Sequence, residues 1–408
     1  MLKILWNSDR MIGEGTSAYK NISFETCTRL SREGLAHVAH IPMGSANRMG
    51  ESYHEKVLIT MSGDNPWNED VILQRYLELQ ADMVITLKEP WVFQSLHREP
   101  VNFVPIVPID HQPVAEDMIT RLQAPFKVIV PSRFAQWELR NRQIESTYIP
   151  HGIPDVYKRY PERKSEWRKK WFLDPDEFVV GCVVMNRARK MIPQMLRGYK
   201  RFRELNPDVK SHLMLWTDVY PRSRPAASAM GVGDTGVFLL PELHRLDLDK
   251  HVTWPGPEII QRGIPDWNIE GWSMVSLYNI MDALMLCTGG EGAGMPLLEA
   301  AACGVPGLTT DYAAGPEYAG PGYTIPWKEY VIYDTPGVRR PLADIDEMAR
   351  VLTKIMNSDP EKLAQKTMRF AENFRWNKII NMFWKPFLQE CETELYPLIT
   401  KTGTRSWN

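Results

Sequence analysis

Apolar residues along this chain fall into two spacings. Short unbroken runs such as Met83–Leu87 and Phe178–Met185 have the length of buried strands. Longer stretches repeat an apolar residue every three or four positions and predict amphipathic helices. In the first part of the chain strands are predicted at Leu2–Trp6, His37–Ile41, Val57–Met61, Met83–Leu87, Phe103–Val107 and Lys127–Val130. Helices fit Tyr19–Arg32, Glu69–Leu79, Ala115–Leu122 and Arg133–Arg142. This alternation argues for an α/β class with parallel sheets covered on both faces, and residues 1–155 read as one doubly wound domain.

A second α/β series fills residues 156–375. Its predicted strands are Phe178–Met185, Leu213–Trp216, Val237–Leu240, Val252–Trp254, Ala283–Cys287 and Val305–Thr309. Its helices fit Pro193–Glu204, Ser273–Ile280, Asp344–Met356 and Glu361–Glu372. Stretches 44–56, 218–236 and 256–270 carry no clear period and read as irregular. Residues 376–408 form a tail with Ile379, Ile380, Met382, Phe383, Phe387 and Leu388 at helical spacing, a face that needs a surface to cover.

A length of 408 residues suits two or three domains. With 44% hydrophobic and 24% charged residues the composition is that of a soluble globular protein. A net charge of −2 gives no global electrostatic case for nucleic acid. One basic stretch interleaved with aromatics, Tyr157–Trp171, could contact nucleic acid; the favoured reading packs its Trp and Tyr inward and leaves its charges in solvent. The five cysteines are odd in number and scattered, and read as free buried thiols in a reducing compartment. The N-terminal apolar segment is too short for a secretory core, and no apolar run nears the ~20 residues of a membrane span. The expectation is a cytoplasmic monomer or homodimer without a membrane segment.

The chemistry concentrates at Gly289-Gly290-Glu291-Gly292-Ala293-Gly294-Met295-Pro296-Leu297-Leu298-Glu299. A strand leads into a glycine-rich turn and then a helix N-terminus, with Pro296 suited to the first helical position and Gly304 ending the helix. Free N–H groups and a partial positive charge at such a terminus attract a phosphate. Glycines let the backbone approach a ligand closely. Glu291 lies in the loop. Glu299 lies one helical turn in, among Leu, Ala and Cys, where an ionised carboxylate is costly unless something bonds to it. A pair of ribose or sugar hydroxyls would serve.

The string EGAGMPLLEAAACGVPGLTTD, with its two glutamates separated by seven residues, resembles the signature of the retaining glycosyltransferases of family 4. Those enzymes have the GT-B fold: two Rossmann-like domains facing a central cleft, with a last helix crossing back to the first domain. The resemblance implies a nucleotide-diphosphate sugar as donor, no cofactor and no metal, and transfer to an acceptor hydroxyl with retention. The acceptor, whether glycan, small molecule, protein or modified nucleic acid, is left open. It further implies that Glu291, Gly292, Ala293, Gly294 and Met295 hold the sugar and that Glu299 accepts from the ribose.

Val184–Lys190 follows the second domain's first strand, where the family places an Arg and a Lys on the donor diphosphate. Lys190 and Arg187 take those roles, with Arg189 a rival to Arg187. Gly13 and Gly15, around Glu14, resemble the family's N-terminal glycine loop. His111, after Asp110, resembles its histidine at the sugar-binding edge, so that Glu291, His111 and Lys190 are the catalytic candidates. His151 has a weaker claim, and Trp254–Pro257 falls near the nucleobase by position in the pattern. Asp247-Leu248-Asp249 and Asp344-Ile345-Asp346 read as surface carboxylates rather than metal ligands. The alternatives are a GT-B sugar-nucleotide epimerase or phosphorylase, a non-catalytic binding module, and a glycosyltransferase acting on modified DNA bases.

Overall fold

The computed structural model describes residues 1–13, 17–44, 47, 50–220, 236–266, 268, 272–332 and 337–397. The first sheet has eight strands: β1 (Leu2–Ser8), β2 (Ala36–Pro42), β3 (Ser52–His54), β4 (Val57–Ile59), β5 (Met83–Leu87), β6 (Phe103–Ile106), β7 (Ile129–Val130) and β8 (Thr147–Tyr148). Their spatial order is β3-β4-β2-β1-β5-β6-β7-β8, and only the β3–β4 pair is antiparallel. The central strand β1 is buried on both faces. Leu2, Ile4 and Trp6 pack on one side, and Leu5 joins Ile72, Val84 and Phe103 on the other. This two-sided burial explains why the central strands read as unbroken apolar runs.

The second sheet is wholly parallel. It contains β9 (Phe178–Val183), β10 (Ser211–Trp216), β11 (Val252–Thr253), β12 (Ala283–Leu286), β13 (Gly307–Thr310) and β14 (Tyr323–Ile325), in the order β11-β10-β9-β12-β13-β14. A short antiparallel pair follows, β15 (Trp327–Val331) with β16 (Arg340–Ala343). In each sheet the strand order reverses at one place, between β1 and β5 and between β9 and β12. Ligands of open α/β sheets bind outside the carboxyl ends of the strands at such a reversal.

The tail returns to the first sheet. Trp376, Ile379, Ile380, Trp384, Phe387, Leu388 and Cys391 share a buried cluster with Leu2, Ile4 and Trp6, and the rings of Trp6 and Trp384 lie 5.9 Å apart. Met382, expected on that face, points outward at 64% exposure. The segment Ile380–Trp384 is a π-helical turn, which rotates the face relative to a regular helix.

Other local expectations change. Val237–Leu240 is not a strand. The backbone N–H and C=O of Val237 both bond to the Asn186 side chain, and a helix starts at Leu240. The stretch 44–56 contains β3, and 256–270 contains the helix Pro257–Arg262. In the basic stretch, Tyr157, Trp167 and Trp171 are buried, and Arg168 is buried with them on three carbonyls and Asp282. The stretch therefore serves the core of the second domain. All five cysteines are buried free thiols. Among the described residues no helix is long and apolar enough to cross a membrane.

Candidate active site in the interdomain cleft

The glycine loop leaves β12 at the reversal point of the second sheet and enters the helix Met295–Ala302. Gly294 caps that helix in the left-handed conformation, at φ 62° and ψ 42°. The helix begins at Met295, so Pro296 stands second rather than first; the N–H it lacks is still one of those without an intrahelical partner. Gly289 donates its N–H to the Arg189 carbonyl at 2.8 Å, which ties the loop to the segment after β9. The next glycines face the first domain. Gly290 sits at φ +139°, and a Cβ there would fall on the Asp110 carbonyl oxygen. A Cβ on Gly292 would come within 2.7 Å of the Pro108 Cβ. Sequence reasoning gave these glycines to a ligand; the structure shows that two of them let the domains touch.

The segment after β9 turns through Ala188–Lys190 and delivers a cation to this loop. Lys190 Nζ bonds both oxygens of Glu291, at 2.6 and 2.8 Å. The two side chains are only 12% and 8% exposed, so the pair is nearly shielded from water. Burial and the neighbouring Arg189 lower the Lys190 pKa, and Glu291 partly offsets this. Arg189 donates to the Gly290 carbonyl at 3.1 Å and lies 3.3 Å from Asp110. Arg187 is half-buried at the start of the same turn.

Across the cleft, the chain after β6 brings Asp110 to the loop. Arg340, from β16, donates to both the Asp110 carbonyl and its carboxylate at 3.1 Å. Burial alone would push the Asp110 carboxyl up, but Arg340, Arg189 and His111 hold it well below the usual range. His111 is 1% exposed. Its Nδ1 pairs with Asp110 at 2.8 Å, and its Nε2 accepts from Ala115 N–H at 3.2 Å. Both ring nitrogens are engaged, so in this conformation His111 braces Asp110. Tyr312 adds a link between domains by accepting from Gln112 N–H at 2.8 Å.

Glu299 occupies a different setting. Its Oε2 accepts from the Tyr278 hydroxyl at 2.5 Å. Burial raises its pKa to about 7, against the bond from Tyr278 and with a further push from Asp266. Asp266 itself is raised by burial and accepts from the Tyr157 hydroxyl at 2.7 Å.

Residues 268–374 match the family model for "Glycosyl transferases group 1". Among solved structures, sucrose-phosphate synthase from Thermosynechococcus elongatus superposes with a TM-score of 0.69 at 14% identity, over 97% of this chain and 100% of that one. HepE from Anabaena, solved with UDP and glucose, gives 0.64 at 14% identity over 96% and 100%. The α,α-trehalose 6-phosphate synthase from Burkholderia multivorans gives 0.64 at 8% identity over 100% and 99%. No curated protein matches the chain by sequence. This is a GT-B fold carrying a glycosyltransferase domain. That domain marks the protein as a glycosyltransferase, and the matched segment includes the whole glycine loop.

Apart from Gly13, the residues of the first-domain wall of this GT-B cleft were not found from sequence. The wall lies at the ends of β1 and β5, the reversal point of the first sheet. Lys88 Nζ pairs with Asp9 at 3.0 Å and lies over the rings of Tyr19 and Trp67. The Tyr19 hydroxyl donates to Glu89 at 3.0 Å. The available signal was positional: polar residues directly after two predicted central strands. Gly13 closes the same wall at φ +94°, where its carbonyl accepts from Lys20. Gly15 and Glu14 lie outside the described residues. His151 is buried and its pKa is lowered to about 4, so its ring is neutral at physiological pH. Gly256 caps the helix Pro257–Arg262, and Trp254 packs on the second-domain core. The Asp-x-Asp acids serve locally: Asp344 caps a helix, Asp346 pairs with Arg201, and Asp249 lies near His244.

Proposed function

We propose that this glycosyltransferase moves a sugar from a nucleotide-diphosphate sugar to an acceptor hydroxyl, with retention at the anomeric carbon. The observation that carries the reading is the meeting of Lys190, Glu291 and the helix N-terminus at the reversal point of the second sheet, facing the first domain. A diphosphate there has a cation and backbone N–H groups to bond. In this reading Lys190 and Arg187 take the diphosphate, with Gly13 approaching from the first domain. Glu291 and the backbone of Gly292–Met295 hold the sugar, and Glu299 accepts from the ribose hydroxyls. HepE, a structural neighbour, was solved with UDP and glucose, which supports this class of donor.

The residues supply positioning and charge rather than covalent chemistry. As the bond to the diphosphate breaks, negative charge grows on the leaving oxygens, which Lys190 and the N–H groups would stabilise. Glu291 holds Lys190 in place and orients the sugar hydroxyls. The departing diphosphate takes the acceptor's proton on the same face of the sugar, so the anomeric configuration is kept. The metal-independent reading predicts full activity in excess EDTA.

The test incubates the protein with UDP-, GDP- and ADP-sugars and a panel of hydroxylated acceptors. Free nucleoside diphosphate and a glycosylated product with the donor's anomeric configuration, read by NMR, are the expected results. A sugar phosphate, or an epimerised sugar nucleotide with no transfer, would replace this reading by a phosphorylase or an epimerase.

A further inference from the structure

Glu299 has one protein partner in its pocket that the proposed function does not use. Tyr278 is fully buried on the helix Met274–Asn279. That helix is fixed at its start by a reciprocal cap between Ser273 and Ser276, and Trp171 donates to the Ser276 hydroxyl at 3.2 Å. The Tyr278 ring packs on the Tyr157 ring at 6.0 Å, and Tyr157 is itself tied to Asp266. Tyr278 therefore has little freedom, and its hydroxyl meets Glu299 Oε2 at 2.5 Å.

We infer that Tyr278 is a positioning residue for the donor nucleotide: its hydroxyl holds Glu299 by Oε2, leaves Oε1 for the ribose, and so sets how well a ribonucleotide is told from a deoxyribonucleotide. The inference rests on the ribose role proposed for Glu299. An ionised carboxylate only accepts hydrogen bonds, whereas a protonated one must donate from one oxygen. Tyr278 bonds to the ionised form and favours it. The groups facing Glu299 are Tyr278, Asp266, Tyr157 and the Cys303 thiol one turn along, which burial and Glu299 push up. The nearby cations act elsewhere, Lys20 on Asp266 and Arg375 on Cys303. With no cation in that set, Tyr278 is the group that favours the ionised carboxylate against burial and aims it.

The test is calorimetric binding of UDP, GDP and ADP in ribose and 2′-deoxyribose forms between pH 6 and 8.5, following the tightest of the three. The ratio of the two affinities cancels the titration of the diphosphate, which both forms share. The wild-type protein should favour the ribose form by about tenfold or more, and the preference should grow as pH rises. In Tyr278→Phe the preference at pH 7 should fall several-fold and its midpoint should move to higher pH, while affinity for the deoxy form stays unchanged. A purely structural tyrosine would weaken both forms alike. An unchanged ratio and midpoint in a folded Tyr278→Phe would overturn the inference. Should that variant fail to fold, Glu299→Gln decides instead: its preference should be small and flat with pH, and a retained pH dependence would overturn the proposal. A wild-type protein indifferent to the 2′-hydroxyl would remove the ribose role of Glu299 itself.

Discussion

The two glutamates of the glycine loop and the helix it enters meet opposite electrostatic surroundings. Glu291 is bonded through both oxygens to Lys190, with Arg189 close by and the first domain pressed against the adjoining glycines. Glu299 has a tyrosine hydroxyl for a partner, and burial lifts its pKa to about 7. One segment thus carries one side-chain type in two electrostatic settings of different cost. Where a cation is supplied, the carboxylate is held by a pair that must be broken or shared when an anion enters. Where only hydroxyls are supplied, the carboxylate suits a ligand that brings more hydroxyls. The difference separates the two ends by chemistry as well as distance: the Glu291 end suits charge, and the Glu299 end suits a neutral polyol.

The largest break in this contrast should come from Glu291→Ala. It leaves Lys190 nearly buried beside Arg189 with its closest anion gone. Losing one partner of a buried pair costs about 3–5 kcal/mol, measurable by urea unfolding, and transfer activity should be lost with it. A nucleoside diphosphate should then raise the melting temperature of this variant by more than that of the wild type, because it restores an anion to Lys190. An equal rise in both would show that the diphosphate does not reach Lys190. Gly290→Ala should come next. It forces a side chain into φ +139° and onto the Asp110 carbonyl. Backbone strain of that kind costs about 1–3 kcal/mol, and the collision should also separate the domains. Small-angle scattering should show a larger radius, and the transfer rate should fall more than tenfold.

At the other end the lever is pH. The native-state pKa of Glu299 lies near 7 against 4.5 for a free glutamate. The folded protein therefore binds more protons than the unfolded chain between those values. Stability from this group is complete below about pH 4.5 and is lost as pH rises through about 7, a change of at most about 3 kcal/mol. Glu299→Gln removes the titration. Its thermal stability should vary less than that of the wild type from pH 5 to 8, and at pH 8 it should be the more stable protein. A wild-type curve just as flat would mean that the carboxyl is better solvated than its surroundings indicate.

Much of this contrast was written in local sequence. The loop, its flanking strand and helix, and the spacing of the two glutamates all lie within one short segment, and Lys190 follows a recognisable strand end. Partners that arrive from distant elements were not legible. Arg340 reaches Asp110 from a hairpin whose strands went unpredicted, and Tyr278 reaches Glu299 from a helix predicted without any role for its side chains. The partners of His111 were equally hidden: sequence order put it at the sugar-binding edge, and the structure engages both its ring nitrogens, with Asp110 and Ala115. Val237–Leu240 has the apolar character of a strand, yet the Asn186 side chain takes the backbone bonds of Val237, and a helix starts at Leu240. In each case a tertiary contact decided what period and composition could not.

The smallest effect should come from Gly294→Ala, and it sharpens the contrast between the two ends. Gly294 also has a positive φ, 62°, but its ψ of 42° places it in the ordinary left-handed region. An added Cβ would meet Leu297 Cδ1 at 3.3 Å and Tyr318 Cβ at 3.5 Å, so small shifts absorb it. The cost should be the backbone term alone, about 1–2 kcal/mol, with no change in scattering radius. Gly294→Asn should recover part of that loss, because asparagine tolerates the left-handed region. The same replacement at Gly290 should recover nothing, since the Asp110 carbonyl blocks any side chain there. If asparagine failed at both positions alike, the two ends would not differ in the way their backbones suggest.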